Sequence, residues 1–559
     1  MFRLKRQQRS LFDLDVYLPE DRVAALDKTW AGPFRRNILP LIDEDPFAPF
    51  YCPDNGRPNV PVAILIGLCI LKEWHNLTDA ELLGSLGWDL RWQYALDVNM
   101  DEAGVCQKTL HNFRSLVAEN RMAEKVFSGI TAKIIREAQI STVRQRLDST
   151  HITSNMANLT RLSLFVRTIE KFLARLEKTH QEAFSRLPAV YAKAYLERAG
   201  YFADVKSGKA RRRLEKSARH LFDLVDRFRG DQAVTSMHSY KLMSRLLEEQ
   251  CEITPGAAEP VVLKTPTDIS AESLQNPSDP DATYGHKGKG YKASLTETCV
   301  KENGFQVITD VAVDKANQPD AKDVAPVLDR LEALDAKPDE LLADAGYGSG
   351  DNLLGTKGKG VEFIAPITSG SKPGENRVRI DDFDFDSDWT RVLSCLKGHE
   401  PARTGLTPNG KSVFAVFSQS ACGRCDLEAL CPVKRHKNGT FRFRVDRKTV
   451  AAASRRCEQE TEDFKERYKI RSGIEATISE TQRLTGLKRS WTRGRNRVAA
   501  STFFRALAIN VKRYIQNEAE KARKAAKTAK IVLYLPKFTP QQHPTPLFNH
   551  FERNLMLAA

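Results

Sequence analysis

Apolar residues near the amino terminus recur at the spacing of helices. Pro61 can occupy the first turn of a helix that runs to about Trp74. The segment Thr78-Asp-Ala-Glu81 has the pattern of a capping box, which begins a further helix. A third helix is indicated by one apolar stripe, made of Leu110, Phe113, Leu116 and Val117. The pattern predicts a helical amino-terminal domain over residues 1–140.

Short apolar runs in the middle of the chain predict strands. The predicted strands are residues 144–148, 291–300, 305–313, 340–344 and 361–367. Asn303-Gly304 is typical of a hairpin turn between the second and third of these strands. A helix with one apolar face precedes the fourth strand, so strands 144–148 and 340–344 suit a mixed sheet in which they are parallel neighbours. The predicted fold class is mixed α/β with a ribonuclease-H-like core.

Two insertions interrupt the predicted core. The first has a heptad-like apolar pattern, formed by Leu162, Phe165, Ile169, Phe172 and Leu176. The second contains cysteines. The expected divisions are a helical amino-terminal domain at 1–140, the first core strand at 141–156, the helical insertion at 157–260, more of the core at 261–370, the cysteine-containing insertion at 371–450, a glutamate helix with basic helices at 451–530, and a carboxy-terminal tail at 531–559.

The composition of the chain indicates a polyanionic partner. The 559 residues carry a formal net charge of +15 and the pI is about 9.2, which favours nucleic acid, although a lysine-rich solvated surface gives the same totals. The basic edge of the helical domain suits DNA-end binding, and a plain packing domain is the alternative. Ten cysteines in so long a chain indicate a reducing cytoplasm. No signal peptide or membrane span is expected, because the longest apolar run, residues 60–71, is too short.

Three acidic residues stand in positions that suit metal chemistry. Tyr468, Arg471 and Glu475 are spaced by three and four residues, so they share one face if the segment is helical. Asp148 and Asp344 each lie at the end of a predicted strand. Carboxylates are the ligands that Mg²⁺ prefers, and two such ions about 4 Å apart can cleave a phosphodiester. A single aspartate after a strand is more often a cap or loop residue, so the prediction depends on all three contexts together.

Three motifs in this order resemble bacterial insertion-sequence DDE transposases. They are Leu147-Asp-Ser-Thr-His-Ile152, Ala343-Asp-Ala-Gly-Tyr-Gly-Ser349 and the Tyr-x-x-Arg-x-x-x-Glu of residues 468–475. The segment from Gly56-Arg57-Pro58 through Leu77-Thr-Asp-Ala-Glu81 to Phe113-Arg114 is similar to the amino-terminal helical domain of the same transposases. The resemblance covers residues 15 to 515, and the order of the motifs makes it specific.

The resemblance implies roles for individual residues. Asp148, Asp344 and Glu475 would be the catalytic triad and would bind two Mg²⁺ or Mn²⁺ ions. Tyr468 and Arg471 would contact the DNA end or orient Glu475. The family pattern has a lysine seven residues after the glutamate, where this chain has Gln482. Arg483 or Lys488 is the expected replacement as a phosphate contact.

Four cysteines of the second insertion have the composition of a structural zinc site. They are Cys395, Cys422, Cys425 and Cys431, and the middle two form a C-x-x-C pair. Four thiolates can hold Zn²⁺ tetrahedrally, and His399 could replace one of them. The alternatives are buried reduced cysteines and an iron–sulfur cluster. Such a site would brace the insertion without taking part in catalysis.

The densest positive stretch follows the predicted glutamate helix. Its first members are Arg483, Lys488, Arg489, Arg493, Arg495 and Arg497, and they are followed by Arg505, Lys512 and Arg513. Arginine binds phosphate through two nitrogens, so the first group is expected to contact a DNA backbone. Trp491 lies among them and is expected to be a packing or boundary residue rather than to stack on a base.

These observations predict a DNA transposase of an insertion sequence. It would bind terminal inverted repeats and target DNA as a homodimer, with metal-dependent cleavage followed by strand transfer, in the cytoplasm at the bacterial nucleoid. One alternative is a nuclease of the same fold that does not transfer strands. Another is a non-catalytic DNA-binding protein derived from a transposase, against which the presence of all three acids argues.

Overall fold

The computed structural model describes residues 1–5, 13–99, 104–197, 207–254, 256–257, 259–368 and 377–534. The chain divides into two compact units, Met1–Tyr514 and Ile515–Ala559. Residues 371–376 of the predicted cysteine-containing insertion and residues 535–559 of the predicted tail lie outside the described residues. The finer divisions expected from the sequence stay predictions.

The amino-terminal part is helical, as predicted. Its helices are α1 (Leu14–Tyr17), α2 (Glu20–Asp27), α3 (Ala31–Pro33), α4 (Val62–Trp74), α5 (Asp79–Trp88), α6 (Leu90–Leu96), α7 (Gln107–Glu119) and α8 (Met122–Glu137). Helix α4 is apolar on nearly all sides and is buried from Val62 to Glu73, as such a helix must be. The Thr78 hydroxyl accepts from the Glu81 backbone nitrogen, and the Glu81 carboxylate accepts from that of Thr78. The capping box that begins α5 is therefore confirmed.

A strand and a helical segment follow. They are β1 (Arg144–Ile152), α9 (Arg161–Thr179), α10 (Gln181–Ser185), α11 (Ala189–Tyr195), α12 (Ser207–Phe228), α13 (Gln232–Thr235), α14 (His238–Gln250), β2 (Cys251–Ile253) and β3 (Val261–Leu263). The apolar stripe of α9 that the sequence indicated is buried throughout. It shares one apolar cluster with Leu221 and Leu224 of α12 and Leu246 of α14. These helices thus pack around a core of their own.

The central sheet mixes parallel and antiparallel pairs. Its further elements are β4 (Thr283–Gly285), β5 (Gly288–Thr298), β6 (Ile308–Lys315), α15 (Val324–Ala333), β7 (Glu340–Ala343), α16 (Gly350–Gly358) and β8 (Glu362–Ile364). The strand order is β6-β5-β1-β7-β8, and β4 pairs with β5 as well. Strand β1 is antiparallel to β5 and parallel to β7, which is parallel to β8. The mixed α/β class and the predicted parallel neighbours are confirmed.

Strand β1 extends further than the sequence indicated. It was expected to end at Asp148 and instead runs to Ile152. The reason is its long antiparallel partner, because pairing continues from Asp148 opposite Leu295 to Ile152 opposite Tyr291. Asp148 therefore lies in the middle of a strand. Asp344 directly follows β7, as predicted.

The cysteine-containing segment forms a small sheet of its own. Its elements are β9 (Asp384–Phe385), β10 (Val392–Ser394), β11 (Arg403–Leu406), β12 (Ser412–Phe417), α17 (Gln419–Cys422), β13 (Lys434–Arg435) and β14 (Phe441–Asp446). The order β11-β12-β14-β13 is antiparallel throughout. Phe383, Phe417, Phe441 and Phe443 are buried in its apolar cluster.

The last described elements are helical. They are α18 (Arg447–Glu458), α19 (Glu462–Lys469), a 3₁₀ turn (Ile470–Ser472), α20 (Gly473–Thr485) and α21 (Arg495–Tyr534). The sequence predicted one helical face for Tyr468, Arg471 and Glu475. The structure instead assigns them to α19, the 3₁₀ turn and α20. The tighter turn carries Arg471, so the three side chains are not spaced as on one regular helix.

Among the helices that the structure describes, none combines the length and the apolar character that crossing a membrane requires.

Candidate active site

Two neighbouring strands carry the two aspartates. Leu147 of β1 pairs with Ala343 of β7 in parallel register, so Asp148 and Asp344 are the next residues of the two strands. The Asp148 side chain is only 12% exposed, whereas that of Asp344 is 36% exposed. Asp148 is thus enclosed by the sheet, and Asp344 stands at its edge.

Arg471 joins the three predicted acids. One guanidinium nitrogen, Nη2, lies 2.7 Å from Asp148 Oδ2 and 3.7 Å from Asp344 Oδ2. The other, Nη1, lies 2.9 Å from Glu475 Oε1. Because one planar group reaches all three carboxylates, side chains far apart in the sequence converge on a single place. Glu475 is the most open, with 63% of its side chain exposed.

The charges of this cluster influence one another. Burial raises the pKa of Asp148; Arg471 and the Ser149 backbone nitrogen oppose the rise, and Asp344 and Glu475 add to it. Burial also raises the pKa of Tyr468. The same three carboxylates add to the rise, and Arg471 opposes it. The Tyr468 ring stacks on Phe464, with ring centroids 5.9 Å apart. Tyr468 therefore belongs to the wall of the site.

The donor set suits divalent cations. Three carboxylates gather around one positive group, and hard cations such as Mg²⁺ take carboxylate oxygens. Within the described ranges, no three His, Cys, Asp or Glu side chains are spaced as ligands of one ion. The donor type therefore suits a divalent ion, whereas the spacing of the three carboxylates in this structure is that of ion pairs with Arg471.

A buried ionic network fixes helix α20 to the sheet. Glu297 of β5 is fully buried, and one of its oxygens lies 2.6 Å from Arg146 of β1. Its other oxygen accepts from the Thr477 hydroxyl at 2.7 Å and lies 3.3 Å from Arg513. Arg146 also donates to the Ile470 carbonyl at 2.8 Å. Sequence reasoning missed this network, although an acid within the apolar and small residues at the end of a predicted strand was a signal for it.

Gln482 has a local structural partner. Its side-chain oxygen accepts from the Lys488 backbone nitrogen. Helix α20 ends at Thr485, and Gly486 follows with a φ of 67°, the left-handed conformation that glycine adopts readily at helix ends. Gln482 thus stabilises the turn after α20.

The basic stretch divides into an exposed part and an internal part. Arg483, Lys488 and Arg489 are exposed, and no ion pair involves them within the described part of the chain. Arg493 donates to the Asn155 carbonyl, and Arg495 pairs with Asp314. By contrast, Arg505 is buried against Glu73, and Lys512 and Arg513 both bind Glu480. Arg483, Lys488 and Arg489 therefore have guanidinium and ammonium groups available to phosphate, and Arg497 is exposed as well.

Trp491 does not pack as expected. Its side chain is 63% exposed, so it is not a packing residue, and the alternative of a boundary residue stays a prediction. The loop that carries it runs beside the end of β1, where the Ser490 backbone nitrogen donates to the Thr153 carbonyl at 2.8 Å. The loop follows the strand edge and leaves the indole in solvent.

The four cysteines gather beside one apolar cluster without forming a ligand group. Cys395, Cys422 and Cys431 pack against the buried phenylalanines of the small sheet. Burial, and then the thiols of Cys395, Cys431 and Cys425, raise the pKa of Cys422 to about 11. All four are free thiols, and the described residues hold no set of three metal-ligating side chains at suitable spacing. Structural zinc is therefore unsupported by this geometry.

Two family models match the chain. A Transposase domain (DUF772) matches residues 20–116, and a Transposase DDE domain matches residues 394–515. The matches confirm the predicted resemblance to insertion-sequence DDE transposases with an amino-terminal domain, and they indicate a transposase function with DNA as its partner. DDE transposases generally use divalent metals such as Mg²⁺. The DDE match includes Glu475, whereas Asp148 and Asp344 lie outside it.

Comparisons with curated proteins and with solved structures gave no match.

Proposed function

We propose that this protein is a transposase of an insertion sequence that cuts DNA at its terminal inverted repeats and joins the ends to target DNA. The proposal rests on one observation, the convergence of Asp148, Asp344 and Glu475 on Arg471. These three residues would be the catalytic triad and the metal ligands. Because all three acids are present, the catalytic function is favoured over a binding protein without activity.

The fold is consistent with this chemistry. The strand order β6-β5-β1-β7-β8, with the first three strands antiparallel and the last three parallel, supports a ribonuclease-H-like core. Strand β1 and the end of β7 would supply two ligands, and α20 the third. The divisions expected from the sequence, with a helical and a cysteine-containing insertion between these ligands, belong to the same proposal.

The side chains of the site have separable tasks. When bound, two divalent ions activate water and stabilise charge on the phosphate. Arg471 keeps three like charges together by neutralising part of their repulsion. Its guanidinium can also bind a DNA phosphate through two nitrogens. Tyr468 limits the space beside Arg471. The buried Glu297 network fixes α20 to the sheet and so positions Glu475 near the two aspartates.

DNA would lie along the exposed basic segment. Arg483 is exposed in the last turn of α20, Lys488, Arg489 and Arg493 are exposed on the stretch that follows it, and Arg495 begins the next helix. Both terminal and target DNA are double-stranded polyanions, which the net charge of +15 favours. A homodimer on DNA would hold two ends, and the protein would act in the cytoplasm at the nucleoid.

Cleavage of a duplex that carries the inverted repeat tests the proposal. Asp344→Asn should abolish cleavage in Mg²⁺ and leave end binding unchanged, because it removes a metal ligand without disturbing the basic segment. Asp351→Asn is a matched control, since Asp351 is 75% exposed and, among the described residues, forms an ion pair only with Lys448. Normal cleavage by Asp344→Asn would exclude the assigned site. Cleavage by the wild type without joining of a pre-cut end would instead indicate a nuclease.

A further inference from the structure

A second pair of carboxylates lies beside the proposed triad. Asp320 begins the 3₁₀ turn Asp320–Lys322, and Asp323 follows that turn. Lys292 of β5 is only 8% exposed and lies 3.0 Å from Asp320 Oδ1 and 2.8 Å from Asp323 Oδ2. One lysine thus faces two aspartates, which leaves one negative charge in excess.

The two aspartates differ in how fully they are bound. Both oxygens of Asp323 accept side-chain hydrogen bonds, Oδ2 from Ser294 at 2.5 Å and Oδ1 from Gln318 at 2.8 Å. Asp320 accepts through Oδ1 from Lys292. Among the described residues no donor reaches its Oδ2, and the side chain is 30% exposed. Asp323 is therefore structural, whereas Asp320 keeps an open acceptor.

That open acceptor faces Asp344. A Cβ atom placed on Gly346 would lie 3.0 Å from Asp344 Oδ1 and 3.3 Å from Asp320 Oδ2. The two carboxylates thus approach each other across Gly346, whose backbone nitrogen donates to Asp344 Oδ1 at 2.8 Å. A side chain at position 346 would separate them. Glycine there keeps the space between the carboxylates free.

A buried hydroxyl points to the same place. Tyr347 is fully buried, and its hydroxyl has no hydrogen bond of normal geometry. Burial, followed by the charges of Asp320 and Asp323, raises its pKa well above 10, and Ser149 and Asp148 also act on it. The phenol is therefore a donor without a firm acceptor, between strand β1 and the Asp320 turn.

We propose that Asp320, held by Lys292, is an outer carboxylate of the Asp344 metal position, and that Tyr347 is a positioning residue of the Asp344 loop. The inference rests on the proposed function. Groups one step beyond the ligands orient them and typically change metal affinity about 10–100-fold. Asp320 adds negative charge beside Asp344 without being a ligand, and Lys292 fixes its direction.

Metal binding to the full-length protein without DNA tests this role. Asp320→Asn should raise the dissociation constant for Mn²⁺, measured by electron paramagnetic resonance, about 10–100-fold. The Mg²⁺ concentration for half-maximal cleavage should rise in parallel, while cleavage at saturating Mg²⁺ and the melting temperature stay near wild type. Asp320→Glu keeps the charge and should recover part of the affinity. Asp329→Asn is the matched control, since Asp329 is 66% exposed and pairs with Lys359.

The variant Tyr347→Phe tests the positioning role of the hydroxyl independently. A hydroxyl that only fills space could be removed without effect on Mn²⁺ affinity, whereas a positioning hydroxyl should weaken Mn²⁺ binding at unchanged melting temperature. Wild-type Mn²⁺ affinity in both Asp320→Asn and Tyr347→Phe would overturn the inference. If Asp344→Asn abolished Mn²⁺ binding in the same experiment, the proposed function would stand without it. Unchanged Mn²⁺ binding in Asp344→Asn would instead remove the proposed function.

Discussion

Arg471 and Gly473 show how single residues determine the proposed site. Arg471 has 14% of its side chain exposed and reaches three carboxylates at once, which a single ammonium group cannot do with the same planar geometry. Two residues later, Gly473 lies against Arg146. A Cβ atom there would be 1.9 Å from an Arg146 guanidinium nitrogen. The small residue is required because Arg146 must reach both Glu297 and the Ile470 carbonyl.

Gly473→Ala should therefore destabilise the fold by about 1–3 kcal/mol, since overpacking forces a buried neighbour to move. Displacing Arg146 should also reduce cleavage, because Glu475 follows on the same helix. Urea denaturation and the cleavage assay measure both effects. Gly355→Ala is the control: Gly355 is in α16 with no atom within 4 Å of its Cβ position. That change should be neutral or stabilising, by up to about 1 kcal/mol. Equal stability of the two variants would contradict the packing argument.

At the scale of elements, α20 is held between the sheet and α21. Glu297 of β5 binds Thr477 of α20, and Arg513 of α21 binds both. Glu480, on the same helix, lies 2.8 Å from Lys512 and 2.7 Å from Arg513. Burial alone would raise the pKa of Glu480, but these two cations outweigh burial and hold it below its ordinary value. The ionised carboxylate thus stabilises the folded state.

The pKa of Glu480 sets the pH range of this contribution. Because the folded pKa is depressed, the stabilisation is present above the unfolded value, about 4.3, and is lost as the pH falls through the lower folded value. Glu480→Gln should cost about 1.5–3 kcal/mol at pH 7, as expected for hydrogen bonds to charged groups. The difference from wild type should shrink below about pH 4. Denaturation at pH 7 and pH 3.5 tests this, and a difference that is independent of pH would refute the charge argument.

At the scale of the whole molecule, some cations form internal ion pairs and others lie on an exposed surface. Arg505, Lys512 and Arg513 are paired with internal acids and cannot bind DNA without breaking those pairs. Arg483, Lys488 and Arg489 are exposed. The net charge of +15 alone therefore does not distinguish cations in internal ion pairs from cations on the exposed surface. These exposed cations lie in the last turn of the helix that carries Glu475 and in the segment just after it.

The salt dependence of DNA binding should report this free surface. Each phosphate contact contributes about 0.9 to the slope of log affinity against log salt concentration. The triple variant of Arg483, Lys488 and Arg489 to alanine should lower the slope by about 2–3. The double variant of Lys337 and Lys359 to alanine is the comparison, because both lysines already pair with acids. Fluorescence anisotropy between 50 and 200 mM salt measures the slopes, and an unchanged slope in the triple variant would exclude this surface.

Sequence periodicity and motif order determined much of this protein. The capping box at Thr78 and the apolar stripe of α9 follow from local patterns, because hydrophobic spacing specifies both the element and its buried face. The parallel pairing of β1 with β7 follows from the order of the strands and the helix between them. The resemblance of the motifs to DDE transposases was also readable, and the domain matches confirm it. Carboxylate convergence was a prediction that needed only the relative order of strands and helix.

Only the tertiary structure decided which partner each charged side chain has. The full length of β1 depended on pairing with β5, and the 3₁₀ turn at Arg471 depended on contacts beyond its own helix. Whether a basic residue forms an internal ion pair or is exposed depends on acids that are hundreds of positions away, such as Glu73 for Arg505. Trp491 is exposed and Glu297 is buried for the same reason. Burial and ion pairing are set by long-range packing, which local sequence patterns do not encode.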